Sequence, residues 1–71
     1  MEREIFNLIG ETLYGMSWFS PMAEYLDIPQ LSIYEFSTGV KPVPESVRYE
    51  LYKELKERGN TILMLIGELE D

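Results

Sequence analysis

The stretch that most constrains the fold runs from Ser20 to Gly39, SPMAEYLDIPQLSIYEFSTG. It reads as two short helices separated by a tight turn. Ser20 suits an N-cap, and Pro21 suits the first helical position, where its missing N–H costs nothing. Met22, Ala23 and Leu26 recur at helical spacing and give the first helix one apolar face. Asp27-Ile28-Pro29 ends it, because a residue before proline is pushed out of the α region. Ile33 and Phe36 give the second helix a buried face of its own, and Thr38-Gly39 ends that helix with a C-cap glycine. A small residue, Ala23, and a stiff β-branched one, Ile33, stand where two helices crossing at a steep angle need them. This is a helix-turn-helix pattern.

A chain of 71 residues makes one domain, 1–71, near the lower size limit for a self-sufficient core, and 45% apolar residues are enough to fold it. With no cysteine and no histidine, disulfides, thiolate metal sites, the usual general base and the thiol nucleophile are all missing. Ser17, Ser20, Ser32 and Ser37 have no activating partner, and no glycine-rich phosphate loop is present. Glu68, Glu70 and Asp71 read as a frayed acidic terminus rather than a metal site. The residue set therefore points to no enzyme, cofactor or metal. The longest apolar run, Ile62 to Ile66, is too short for a leader or membrane span, so a cytoplasmic protein is expected. Thirteen acids against six basic residues give a net charge of −7, which repels nucleic acid and attracts basic protein surfaces.

Taken in order, Glu2 to Tyr14 reads as a first helix, with Ile5, Phe6, Leu8, Ile9 and Leu13 on a broad apolar stripe. Gly10 inside it predicts a close crossing. Trp18 reads as a core anchor between this helix and the motif. After Gly39, Val40-Lys41-Pro42-Val43-Pro44 forms a rigid connector, with Pro44 at the first position of a further helix over 44–70. Val47, Leu51, Leu55, Ile62, Leu65 or Ile66, and Leu69 mark its apolar phase. Glu50–Lys53, Lys53–Glu57 and Glu54–Arg58 are spaced for side-chain pairs. Gly59-Asn60 either divides the run into a fourth and a fifth helix or lies inside one long helix; the unbroken phase favours continuity. Ile62-Leu63-Met64-Leu65-Ile66 is apolar all round. A homodimer through Ile62, Leu63, Leu65, Ile66 and Leu69 is the simplest way to cover it; the alternative is a helix folded back over its own core.

Several of these residues together resemble the small Cro/repressor-type helix-turn-helix domains found in phages and their bacterial hosts. They are Leu13-Tyr14-Gly15, Trp18, Met22-Ala23 with Leu26 and Ile28, Ile33 with Phe36, Gly39, the Pro42-Val43-Pro44 connector, and Val47, Leu51, Leu55 and Arg58. The resemblance spans most of the chain. It implies an all-α bundle of four to five helices, with the motif at 20–39 and a long C-terminal dimerisation helix. It also implies that the second motif helix reads DNA. Two departures stand out. Asp27 occupies the turn position usually held by glycine, and the recognition helix lacks its usual basic residues.

From Ser17 to Val40 there is no Lys or Arg, but there are three acids, Glu24, Asp27 and Glu35. Phosphate contacts supply much of DNA affinity and come mainly from Lys and Arg. With Ile33 and Phe36 pointing inward, helical geometry turns Gln30, Leu31, Tyr34, Glu35 and Thr38 outward. Leu31, Tyr34 and Tyr25 rimmed by Glu24, Asp27 and Glu35 suit a protein partner with a basic surface. The sequence thus favours a small acidic protein that binds another protein, such as an inhibitor or DNA mimic acting on a host DNA-binding regulator. A DNA-binding transcriptional regulator is the alternative, and a purely structural or dimerising role the third.

Overall fold

The computed structural model describes residues 1–70; Asp71, the last residue of the acidic terminus, lies outside the described residues. The described residues form four helices and no strand: α1 Arg3–Tyr14, α2 Phe19–Leu26, α3 Gln30–Thr38 and α4 Glu45–Leu69. The chain is all-α, and Gly59-Asn60 lies within one continuous 25-residue helix.

Phe6 is fully buried and central. Its ring meets Trp18 edge-on at 5.6 Å between centroids and Phe36 at 5.8 Å, so α1, the α1–α2 loop and α3 converge on one aromatic. Edge-to-face pairs of this kind add about 0.5–1.5 kcal/mol beyond burial. Leu13, Met22, Ala23, Ile33, Val47 and Leu51 complete the core, with Ile9, Leu26, Ile28, Val43 and Leu55 among the residues packed against it. The glycine at position 10 is explained by contact with the anchor tryptophan: a Cβ there would lie 2.1 Å from Trp18 Cε3. The close approach is thus indole on backbone rather than helix on helix.

Four boundaries differ from the sequence expectation, one of them the end of α4, at Leu69 rather than at residue 70. α1 begins at Arg3, not Glu2. α2 begins at Phe19, with Trp18 before it, so Ser20 and Pro21 are its second and third residues rather than its cap and first. Proline is tolerated there because the first four helical N–H groups have no intrahelical acceptor. Pro44 stands just outside α4 in extended conformation, and Glu45 is the first helical residue.

The turn between α2 and α3 is closed by backbone alone. The Asp27 amide donates to the Glu24 carbonyl at 3.2 Å, and the Ile28 amide to the Ala23 carbonyl at 3.1 Å. This paired arrangement is the Schellman ending of a helix, and Asp27 holds its left-handed residue at φ 56°, ψ 48°. Pro29 then leads directly into α3.

Residues 45–58 attach α4 to the rest. Val47 and Leu51 are buried, the Tyr25 hydroxyl donates to the Glu50 carbonyl at 3.3 Å, and Arg58 Nη1 donates to the Leu13 carbonyl at 2.6 Å. Arg58 also stacks over the Tyr14 ring and pairs with Glu54 at 2.7 Å. Of the other spaced pairs, Glu50–Lys53 forms at 3.3 Å; Lys53 and Glu57 do not pair. Beyond Gly59 every described residue of α4 is exposed. The helix does not fold back over its own core, and the long axis of the molecule reaches 47 Å against 23 and 21 Å for the other two.

Candidate functional site

α3 is short, and its inward residues fix its outward ones. Ile33 is fully buried and Phe36 nearly so, which leaves Gln30, Leu31 and Tyr34 on the opposite side. Leu31 is 67% exposed and Tyr34 54%. Three residues apart on a helix, they form one continuous apolar and aromatic strip. On α2 and the turn, Glu24 and Asp27 are exposed, and with Gln30 they line a shallow cleft of about 490 Å³ whose floor includes Ala23 and Ile28. Gln30 thus belongs to both the strip and the cleft.

Three of the expected face residues are used elsewhere. Glu35 is not outward: its side chain is only 20% exposed and accepts from Lys41 Nζ at 3.4 Å. The left-handed Gly39 reverses the chain there, so that the Lys41 amide also returns to the Glu35 carbonyl. Thr38 is half-buried, and its hydroxyl donates to the Tyr34 carbonyl of its own helix at 3.0 Å. Tyr25 is 40% exposed, but its hydroxyl reaches α4. Partial burial first, then the nearby Glu54 and Glu50 carboxylates, push its phenol above the ordinary tyrosine value. Burial likewise raises Tyr14, helped by Glu54 and opposed by Arg58.

The sequence also missed the cation at the end of α3. Arg3 Nη1 donates to the Thr38 carbonyl at 3.0 Å, where cations stabilise a helix C-terminus, and the same guanidinium lies 3.4 Å from Glu4. Beside it, Asn7 Nδ2 donates to the Ser37 carbonyl at 3.2 Å. Nothing in sequence spacing links positions 3 and 38; only the packing of α1 on α3 does. Both cations bordering α3 are therefore engaged on α3's own groups.

A second surface lies on α4. Ile62, Leu63, Met64, Leu65, Ile66 and Leu69 are between 45% and 86% exposed, so the five residues expected to form a dimer interface are all uncovered. At the other end of the same helix a groove of about 1140 Å³ opens between α1 and α4. No helix among the described residues is long and apolar enough to cross a membrane, and no group of three or more acidic side chains converges among them.

No protein-family model matches this chain, and no curated protein or solved structure does either.

Proposed function

We propose that α2, the Asp27–Pro29 turn and α3 form a helix-turn-helix unit of the Cro/repressor kind whose outer face binds a protein with a basic surface rather than DNA. The observation that carries this reading is the chemistry of that face. Leu31 and Tyr34 stand exposed beside Glu24 and Asp27, while Arg3 and Lys41 are occupied by Thr38 and Glu35. Aromatic and apolar anchors inside an acidic rim suit protein recognition, and the rim steers a cationic partner. A DNA-binding regulator presents such a cationic face, so an inhibitor that occupies it is the role this chemistry fits. The partner-binding set narrows to Gln30, Leu31, Tyr34, Glu24 and Asp27, with Glu35, Thr38 and Tyr25 supporting it from behind.

The test is affinity capture with the wild-type chain and with Tyr34→Ala combined with Leu31→Arg. Both residues point away from Ile33 and Phe36, so helix content and melting temperature should hold. Basic proteins retained by the wild type should be lost with the double variant, since truncating a central aromatic anchor costs about 2 kcal/mol or more. Glu24→Lys should slow association most at low salt. Retention that survives the double variant sinks the placement.

The chain also pairs with itself through the 62–69 segment of α4 in this proposal. A row of aliphatic side chains with no cover from its own chain needs an apolar neighbour, and a two-fold pair supplies one with a single patch.

A further inference from the structure

Along α4, Tyr52, Leu55, Gly59, Ile62, Ile66 and Leu69 recur at alternating spacings of three and four, the seam spacing of two helices wound on each other. This seam is displaced by one residue from the row Val47, Leu51, Glu54 and Arg58, which faces the chain's own core and α1. At its upper end the seam is a wall of the α1–α4 groove, which Tyr49, Tyr52 and Leu55 line on one side and Ile5 and Ile9 on the other. At its lower end it is bare: Ile62, Ile66 and Leu69 are 56%, 45% and 86% exposed. One seam thus carries a vacant apolar groove at one end and an uncovered apolar tail at the other.

Resting on the self-pairing proposed above, we infer that the α1–α4 groove seats the α4 tail of a second copy lying antiparallel to the first. Tyr52 then packs against Leu69 of the second copy, Leu55 against Ile66, and Gly59 against Ile62. A parallel pair would cover the tails but leave both grooves open; the antiparallel pair covers both tails and the Tyr52–Leu55 part of both grooves about one two-fold axis. Gly59 supports this arrangement. A glycine inside a helix costs about 1 kcal/mol, and a Cβ at position 59 would meet nothing within 4 Å in its own chain. It falls beside the proposed axis, where two backbones come nearest. The tail ends in Glu68 and Glu70, and the far end of the groove is mixed in charge: Glu2 and Glu45 line it together with Arg48, which pairs with Glu45. The overlap from Tyr52 to Leu69 is about 26 Å long at the rise of an α-helix.

The chain has no cysteine, so introduced thiols report cleanly. Light scattering on the full chain at tens of micromolar should give twice 8.3 kDa. Under mild oxidation, Tyr52→Cys combined with Leu69→Cys should be trapped as covalent dimers, and neither single variant should be. Ile5→Asp, exposed in the groove, should raise the dimer dissociation constant at least tenfold with helix content unchanged. A monomeric wild type overturns self-pairing and the groove assignment together. A dimer that is trapped by Leu69→Cys alone, or that tolerates Ile5→Asp, keeps self-pairing and overturns the antiparallel seat.

Discussion

Gly10 shows how one missing methyl sets the packing. The Trp18 ring closes on the α1 backbone there, and it also meets Phe6 at 5.6 Å and Phe19 at 4.5 Å, so an added methyl has to push it against those rings. Gly10→Ala should therefore destabilise the fold by about 1–3 kcal/mol, the usual cost of overpacking, despite alanine's better helix propensity. Thermal denaturation of the variant tests this; an unchanged or higher melting temperature would show that Trp18 can shift. Sequence pattern marked both residues, the lone tryptophan as a core anchor and the glycine as a close approach. What it lacked was their mutual contact, which depends on how the α1–α2 loop folds back. Asp27, which departs from the glycine the resemblance leads one to expect at the turn, takes left-handed backbone all the same, and aspartate is among the few residues that do so with a side chain.

At the level of elements, four helices were readable from periodicity and proline punctuation, and the unbroken apolar phase carried α4 through Gly59-Asn60. Boundaries were less legible, because Ser20-Pro21 carries the pattern of a helix start but is equally tolerated two residues further inside, within the first turn. Phasing of α3 was legible for Leu31 and Tyr34 but not for Glu35 or Thr38, which share the outward arc but lie in the last turn, next to the connector. There the return of Lys41 after Gly39 decides the exposure. Arg58 was read as the local partner of Glu54 and as one of the residues that carry the helix-turn-helix resemblance, with no contact to α1 assigned to it. In the fold it also caps α1, donating to the Leu13 carbonyl and covering Tyr14. Arg58→Ala should cost about 1.5–3 kcal/mol, the range for a hydrogen bond to a charged group, less whatever solvent screening removes at this partly exposed side chain. Chemical denaturation measures the loss, and Arg58→Lys should recover only part of it, since lysine cannot stack on Tyr14 and reach both oxygens at once. Full recovery by lysine would reduce the role to simple charge.

For the whole molecule, the decisive quantity is where the charge lies. Six basic residues are dispersed over α1, the α3–α4 connector and α4, and five of them are already within 4 Å of a carboxylate: Arg3, Lys41, Arg48, Lys53 and Arg58. A nucleic-acid footprint needs several unpaired cations along one face. Random duplex DNA should therefore bind no more tightly than about 10⁻⁴ M even at low salt, the weak limit of ordinary non-specific affinity. Fluorescence anisotropy with labelled duplex measures it. Micromolar binding that weakens steeply with added salt would return the α2–α3 face to DNA. The exposure of the proposed face was only partly legible in the sequence: Leu31 and Tyr34 stand exposed as expected, whereas Glu35 and Thr38 do not. Composition argues against some partners, but the anchors of the face had to be separated from residues the fold uses for its own support.

The seating of Trp18 gives this protein a built-in optical reporter. It is the chain's only indole, buried against Gly10, Phe6 and Phe19 in the four-helix body. The bare tail of α4 begins beyond Gly59 and carries no aromatic ring. Tryptophan emission, excited apart from the tyrosines, will therefore shift to the red when the body unfolds and stay constant when tails associate or separate. Emission spectra and hydrodynamic mass, recorded on one dilution series, resolve folding from assembly without any added dye.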